Sequence, residues 1–336
     1  MKAIVQKGKG MVEVVDKPVP DLRPGEALIK VEYCGIGPID VRTYQSSETS
    51  DMILGHEYSG TIAQLGPSTD RWHRGQRVAS NKVMQCGHCR FCQEGRDNIC
   101  EENLVLGISV DGTLAEYVRV PASSLHEVPH DITMEQAAMA ELVAVSLHAV
   151  KLADLQFKDR IVVQGAGAMG LITLDLARAH GVKNMIVTDI NSARLTIARE
   201  KGDVTALNPN ETDLCSKVEE MTAGYGADIV FDCAGTPESV SKSLEVIRAG
   251  GTVVLLRHCD KPVQVDFSKL HEKEVAIKMS HYSTEWEFEE ALAYLEAGDV
   301  TPEKYISKVI SMEEAAEFGF KDMEKGGSNL KVLVKL

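Results

Sequence analysis

The chain has 336 residues, 44% of them hydrophobic and 26% charged, which is enough for two domains with a buried core in each and is ordinary for a soluble protein. Its 36 basic and 50 acidic residues leave a net charge of −14, which argues against a nucleic-acid footprint or attraction to anionic lipid. No apolar run reaches the ~18 residues that a membrane span needs. The N-terminal MKAIVQKGKGMVEVV alternates like a strand and lacks a secretory core. The expectation is a cytoplasmic protein acting on a small molecule, with no nucleic-acid or membrane partner.

Residues 1–145 read as β-rich, with short strands such as EALIKVEY, YSGTIAQLG and EYVRV separated by Gly, Pro and Asp turns. From 146 the texture changes. RIVVQ is a mostly apolar strand, followed by GAGAMGLITLDLARAHG, a helix that ends at Gly181. NMIVTD, ARLTIAREKG, ADIVFDCAG, PESVSKSLEVIRAGG and GTVVLL continue as strand, helix, strand, helix, strand. Such alternation with short connections predicts βαβ units, hence an α/β fold with a doubly wound parallel sheet over 146–284. From 285 a helix, EWEFEEALAYLEAG, and a last strand, LKVLVKL, complete the chain.

Four cysteines, Cys86, Cys89, Cys92 and Cys100, stand as C-x2-C-x2-C-x7-C within 86–100. Four thiolates so closely spaced suit a tetrahedral all-cysteine zinc, whose closed shell leaves no position for water, so the expected role is structural. The alternative is a pair of local disulfides or redox thiols, which a reducing compartment disfavours. Cys34, Cys215, Cys233 and Cys259 are scattered and read as small buried residues.

Gly165, Gly167 and Gly170, with Ala168 and Met169 between them, form G-x-G-x-x-G between a strand and a helix. The first glycine makes the turn, the second admits a pyrophosphate and the third allows close helix–strand packing. The diphosphate would lie on the helix N-terminus, where unpaired N–H groups favour negative charge. Asp189 ends the next strand, where a carboxylate accepts both ribose hydroxyls and repels a 2′-phosphate, so NAD is expected rather than NADP. Arg194 could stack on adenine, contact a phosphate or simply be a solvated helix residue.

These features, with Gly55-His56-Glu57, DGTLAEY at 111–117 and the order of domains, resemble the zinc-containing medium-chain alcohol and polyol dehydrogenases, in particular the sorbitol and threonine type. The resemblance runs over essentially the whole chain. It implies a GroES-like β-rich catalytic domain built from 1–145 and 285–336, a Rossmann domain at 146–284, and a homodimer or homotetramer. It also implies a second, catalytic zinc held by a cysteine of the segment G-I-C-G-[ST]-D-x-H, by the GHE histidine and by a later carboxylate.

His56, Glu57 and Glu141 match two of those three sources. The first segment departs from the pattern. It reads Gly35-Ile36-Gly37-Pro38-Ile39-Asp40-Val41-Arg42, with Gly37 for the zinc thiolate, Ile39 for the proton-passing hydroxyl and Arg42 for the relay histidine. Asp40 remains. Three readings follow from the resemblance and its break. One is an NAD-dependent enzyme moving a hydride to or from a secondary alcohol or ketone of a polyol, sugar or cyclitol-like substrate, with a second zinc or other divalent metal at His56, Glu57 and Glu141 and with Asp40 and Arg42 beside it. The others are metal-independent hydride transfer, such as reduction of an activated C=C bond, and a non-catalytic nucleotide-binding relative. Candidate proton carriers are Glu57, Glu141, a metal-bound water, or His258, His281 and Tyr282 after apolar strands. Arg42 and Arg257 could grip an anionic or polyhydroxylated substrate.

Overall fold

The computed structural model describes residues 1–47, 51–259 and 261–336. Residues 48–50, in the loop YQSSETSDMI that bears on pocket shape, lie outside the described part. The chain forms two compact units, Met1–Ala144 with Tyr282–Leu336, and Val145–His281.

The first unit is built on strand Glu26–Ile36, eleven residues long and buried along most of its length. Its sequence, EALIKVEYCGI, carries little of the strict alternation that would leave one face wet, so both faces pack. One edge pairs antiparallel with Glu57–Leu65. The other edge is shared: Tyr117–Pro121 covers its first half and the C-terminal strand Lys331–Lys335 its second. Val332 therefore lies opposite Ile36, at the end of the segment that departs from the family pattern. Ile29, Tyr58, Ile62, Phe320 and Val332 form part of the core beneath. Helix Glu285–Ala297 begins at Thr284, whose hydroxyl accepts from Glu287 N while the Glu287 carboxylate accepts from Thr284 N, and it stops at Gly298 with φ +74°.

Two short paired strands, Val83–Met84 and Leu104–Val105, close the base of a lobe that carries the four cysteines. Asp97 Oδ2 accepts from Glu285 N, which ties the lobe to the start of helix Glu285–Ala297.

The second unit holds a six-stranded, all-parallel sheet. Its spatial order is Val204–Leu207, Asn184–Thr188, Arg160–Gln164, Ala227–Asp232, Ile247–Leu255, Ala276–Met279. In chain order this is 3-2-1-4-5-6, the doubly wound arrangement, and the order reverses between Arg160–Gln164 and Ala227–Asp232. Ligands of such sheets bind at the carboxyl ends beside that reversal.

Two sequence expectations change here. The helix expected over PESVSKSLEVIRAGG spans only Pro237–Val246, and IRAGG belongs to the following strand Ile247–Leu255. Ile247 is buried and pairs with Ala227, and a register shift then accommodates the extra residues before Thr252 meets Ile229. Burying Ile247 against the neighbouring interior strand outweighs the helical periodicity of the segment. Between ARLTIAREKG and ADIVFDCAG the chain also makes strand Val204–Leu207 and helix Leu214–Thr222, which its polar composition had not revealed. Among the described residues no helix is long and apolar enough to cross a membrane.

Candidate active site and zinc lobe

None of the eight cysteines is in a disulfide. In the lobe the sulfur–sulfur distances are 3.9 Å for Cys86–Cys92, 3.5 Å for Cys89–Cys92 and 3.9 Å for Cys89–Cys100. Four sulfurs at about 2.3 Å from a central zinc would be about 3.8 Å apart, so the cradle has the size of a tetrahedral zinc–thiolate centre. Backbone N–H groups of Cys86 and Glu102 point at Cys100 Sγ, and that of Cys89 at Cys86 Sγ, which is the outer support that thiolate ligands need.

In the second unit, Gly165 has φ +98° and sits where the chain leaves strand Arg160–Gln164. A Cβ on Gly170 would lie 1.9 Å from the Gly165 carbonyl oxygen, so only glycine lets helix Ala168–Ala179 begin this close to the strand. Gly167 caps that helix, and Ala168 and Met169 occupy its first turn. Asp189 supports the same loop: its Oδ2 accepts from Ala166 N at 2.9 Å and its Oδ1 from Asn191 N at 2.8 Å. The guanidinium of Arg194 stands 3.8 Å from Asp189 and approaches the Cβ position of Gly167. The structure thus gathers the expected dinucleotide residues at one carboxyl edge.

In the first unit, His56, Glu57 and Glu141 converge with ligand-type atoms within 4.8 Å of one another, all three buried. Gly55 has φ +91°, and a Cβ there would lie 2.7–2.8 Å from Leu114 and Cys34, so the turn that aims His56 and Glu57 inward requires glycine. Asp40, in helix Pro38–Gln45, is buried and accepts from Gly37 N at 2.8 Å and Gly55 N at 2.9 Å. It pins the altered segment to the His56 turn. Its Oδ2 is 3.7 Å from His56 Nδ1. Burial raises the Asp40 carboxyl to about 6, against the two backbone donors that lower it. Burial, reinforced by Lys82 and Lys331, pushes His56 well below its ordinary value, so the imidazole is neutral. Its Nδ1 has no hydrogen-bond partner.

Two lysines that sequence reasoning missed complete this cluster. Lys331 Nζ, on the C-terminal strand, donates to both Glu57 oxygens at 2.8 and 2.6 Å, with both side chains 2% exposed. Lys82 Nζ lies 2.7 Å from Glu141 Oε1, with side chains 7% and 3% exposed, and 4.8 Å from the ring centroid of Tyr282. Lys82 and Glu141 form a close, buried ion pair. Burial opposes the Lys82 charge, but Glu141, Glu57 and Tyr282 outweigh it and hold the ammonium above its ordinary value. The available signal was a lysine inside the otherwise small and apolar run VASNKVM, and another at an inward position of LKVLVKL.

The donors present do not fit a catalytic zinc as they stand. Gly37 brings no thiolate, and each carboxylate already neutralises a buried ammonium, so a dication would have to displace one. Cys34 is no replacement, because its buried thiol is turned to Thr113 Oγ1 and the Gly35 carbonyl. Arg42, His258, His281 and Arg257 are exposed, in contrast to this buried cluster, and Tyr282 is half-buried against Lys82.

Residues 23–130 match the alcohol dehydrogenase GroES-like domain, and 168–297 the zinc-binding dehydrogenase domain. A sorbitol dehydrogenase of Halalkalibacterium halodurans is 32% identical over 94% of each chain. The chain belongs to the zinc-containing medium-chain dehydrogenase family. A D-arabitol-phosphate dehydrogenase of Enterococcus avium is 30% identical over 100% of this chain and 97% of the relative. An alcohol dehydrogenase from Escherichia coli CFT073, solved with NADH, superimposes with a TM-score of 0.93 at 27% identity, covering 100% of this chain and 99% of that one. As a member of this family the protein is an oxidoreductase with a GroES-like domain and a Rossmann sheet.

Proposed function

We propose that the protein is an NAD-dependent dehydrogenase that moves a hydride between the nicotinamide and a secondary alcohol or ketone of a polyol- or sugar-like substrate. The observation that carries this reading is Asp189, placed beside the Gly165–Gly170 loop and fixed by two backbone donors. Its carboxylate favours ribose hydroxyls and repels a 2′-phosphate. Relatives named for sorbitol and arabitol phosphate support the polyol class.

In this reading the N-terminus of helix Ala168–Ala179 takes the pyrophosphate, with Arg194 beside it. The buried group of Asp40, His56, Glu57, Glu141 and the two lysines forms the polar floor on which a substrate oxygen is held. A zinc at Cys86, Cys89, Cys92 and Cys100 would pin the lobe and do no chemistry there. A homodimer or homotetramer belongs to the same reading. Strand Ala276–Met279 is an edge of the parallel sheet, and such edges call for cover.

The test is a panel of polyols with NAD and ketoses with NADH, followed by nicotinamide absorbance. Turnover of at least one, faster with NAD(H) than with NADP(H), is the expected result. Turnover only with NADP(H), or none on any alcohol or carbonyl, would refute it.

A further inference from the structure

We infer that the Lys82 ammonium does the work that a metal ion does in the family, holding the substrate oxygen and polarising it as hydride arrives. The inference rests on the reading of the protein as a hydride-transfer enzyme and adds the group that makes the carbonyl electrophilic.

Two observations concern this residue directly and a third concerns the cluster it joins. Lys82 is a cation with only 6% of its surface exposed, although long charged side chains ordinarily keep their heads in water. Its Nζ sits 2.7 Å from Glu141, one of the three groups whose ligand atoms converge, so a positive charge already stands among the would-be metal donors. The thiolate position is vacated: the Cβ direction at Gly37 points to Glu57 Oε1 at 2.9 Å and His56 Nε2 at 3.3 Å, so the absent side chain would have entered this same cluster. The vacated thiolate position and the buried ammonium thus border the same three groups.

The chemistry closes without a metal. A carbonyl oxygen accepts one of the three N–H donors of the Lys82 ammonium, which leaves the others for Glu141. Hydride leaves the dihydronicotinamide for the carbonyl carbon, so NADH is oxidised and the carbonyl reduced. The C=O π pair moves onto oxygen, where a preorganised cation in a water-poor site stabilises it. That oxygen takes a proton from Nζ, giving the alcohol, and the amine recovers a proton from solvent. Alcohol oxidation is the same sequence reversed. The hydroxyl-to-histidine relay is then dispensable, which accounts for Ile39 and Arg42 at its positions. Glu141 positions the ammonium.

The experiment combines zinc counting with turnover. Wild-type protein should hold one zinc per chain and keep its carbonyl reductase activity through chelation. Lys82→Met should lower kcat by about 100-fold or more while NADH binding is retained. Should that variant fail to fold because Glu141 is stranded, Lys82→Met with Glu141→Gln removes both charges and should show the same loss. Gly37→Cys with Lys82→Ala should gain a second zinc per chain, because thiolate, imidazole and carboxylate are then free to bind it. A second zinc in the wild type, loss of activity on chelation with the four-cysteine zinc retained, or near-wild-type kcat in the lysine variants would overturn the inference. If the wild type reduces no carbonyl, the proposed function fails. The polarising role of Lys82 then falls with it, and the zinc counts bear on the site alone: one in the wild type and two in the Cys/Ala variant show that Lys82 occupies a latent metal position, and any other pair of counts overturns that too.

Discussion

Replacing Lys331 by Met should destabilise the first unit severely. The ammonium contacts both oxygens of Glu57 at 2.8 and 2.6 Å, and both side chains are 2% exposed. Methionine keeps the length and leaves a buried carboxylate without a partner, at a cost of about 3–5 kcal/mol. The unit comprises 144 residues from Met1–Ala144 and 55 from Tyr282–Leu336, 199 in all. In a domain of that size each kcal/mol moves the midpoint by about 2–4 °C, so the fall should be about 6–20 °C. The assay is thermal unfolding by tryptophan fluorescence. The only two tryptophans, Trp72 and Trp286, both belong to this unit, so the signal reports it without interference from the other. Adding Glu57→Gln should recover part of the loss, since the stranded charge is then gone. A single variant within about 2 °C of wild type, or a double variant no better than the single, would show that the pair is not the buried ion pair described.

Gly170→Ala should weaken NADH binding by about tenfold or more, read by fluorescence titration, because its Cβ falls 1.9 Å from the Gly165 carbonyl and the loop must move. Asp189→Ala should narrow the preference for NAD over NADP, with NAD affinity falling about tenfold through loss of charge-assisted hydrogen bonds; an unchanged preference would remove Asp189 from the ribose site. His56 is held neutral by burial, so below about pH 6.5 the unfolded chain takes up a proton that the folded one refuses. Stability is then lost as pH falls, by about 1.4 kcal/mol per unit, and His56→Gln should show a shallower loss between pH 6.5 and 5. Asp40 acts in the opposite sense, binding its proton in the folded state up to about pH 6, and because it lies 3.7 Å from His56 the difference between the two proteins reports the pair.

The zinc lobe and the dinucleotide loop were legible from the chain because their parts are local. Four cysteines fall within fifteen residues, and three glycines within six. Such spacing constrains distance directly, since intervening chain this short cannot take the groups far apart. The doubly wound sheet was legible for a related reason, as each βαβ unit repeats one local pattern. The weak elements failed where composition and burial disagreed. IRAGG carried helical periodicity, but Ile247 gained more by pairing with Ala227. Val204–Leu207 is a short, half-buried strand whose identity comes from lying against Asn184–Thr188.

The buried charge cluster is the part that only tertiary structure decided. The resemblance named His56, Glu57 and Glu141, and their residue types alone suggest metal donors. Whether they are free to bind one depends on partners far along the chain. Lys331 reaches Glu57 across 274 positions, because the C-terminal strand pairs with Glu26–Ile36 and places Val332 against Ile36. Lys82, just before strand Val83–Met84, likewise meets Glu141 in the first turn of helix Ala140–Ala153, from a distant part of the chain. No local periodicity records such a meeting. A charge buried in a low-dielectric core is tolerated only with its opposite at hand, so the fold sets what the donors can do, while the sequence alone determined which donors exist.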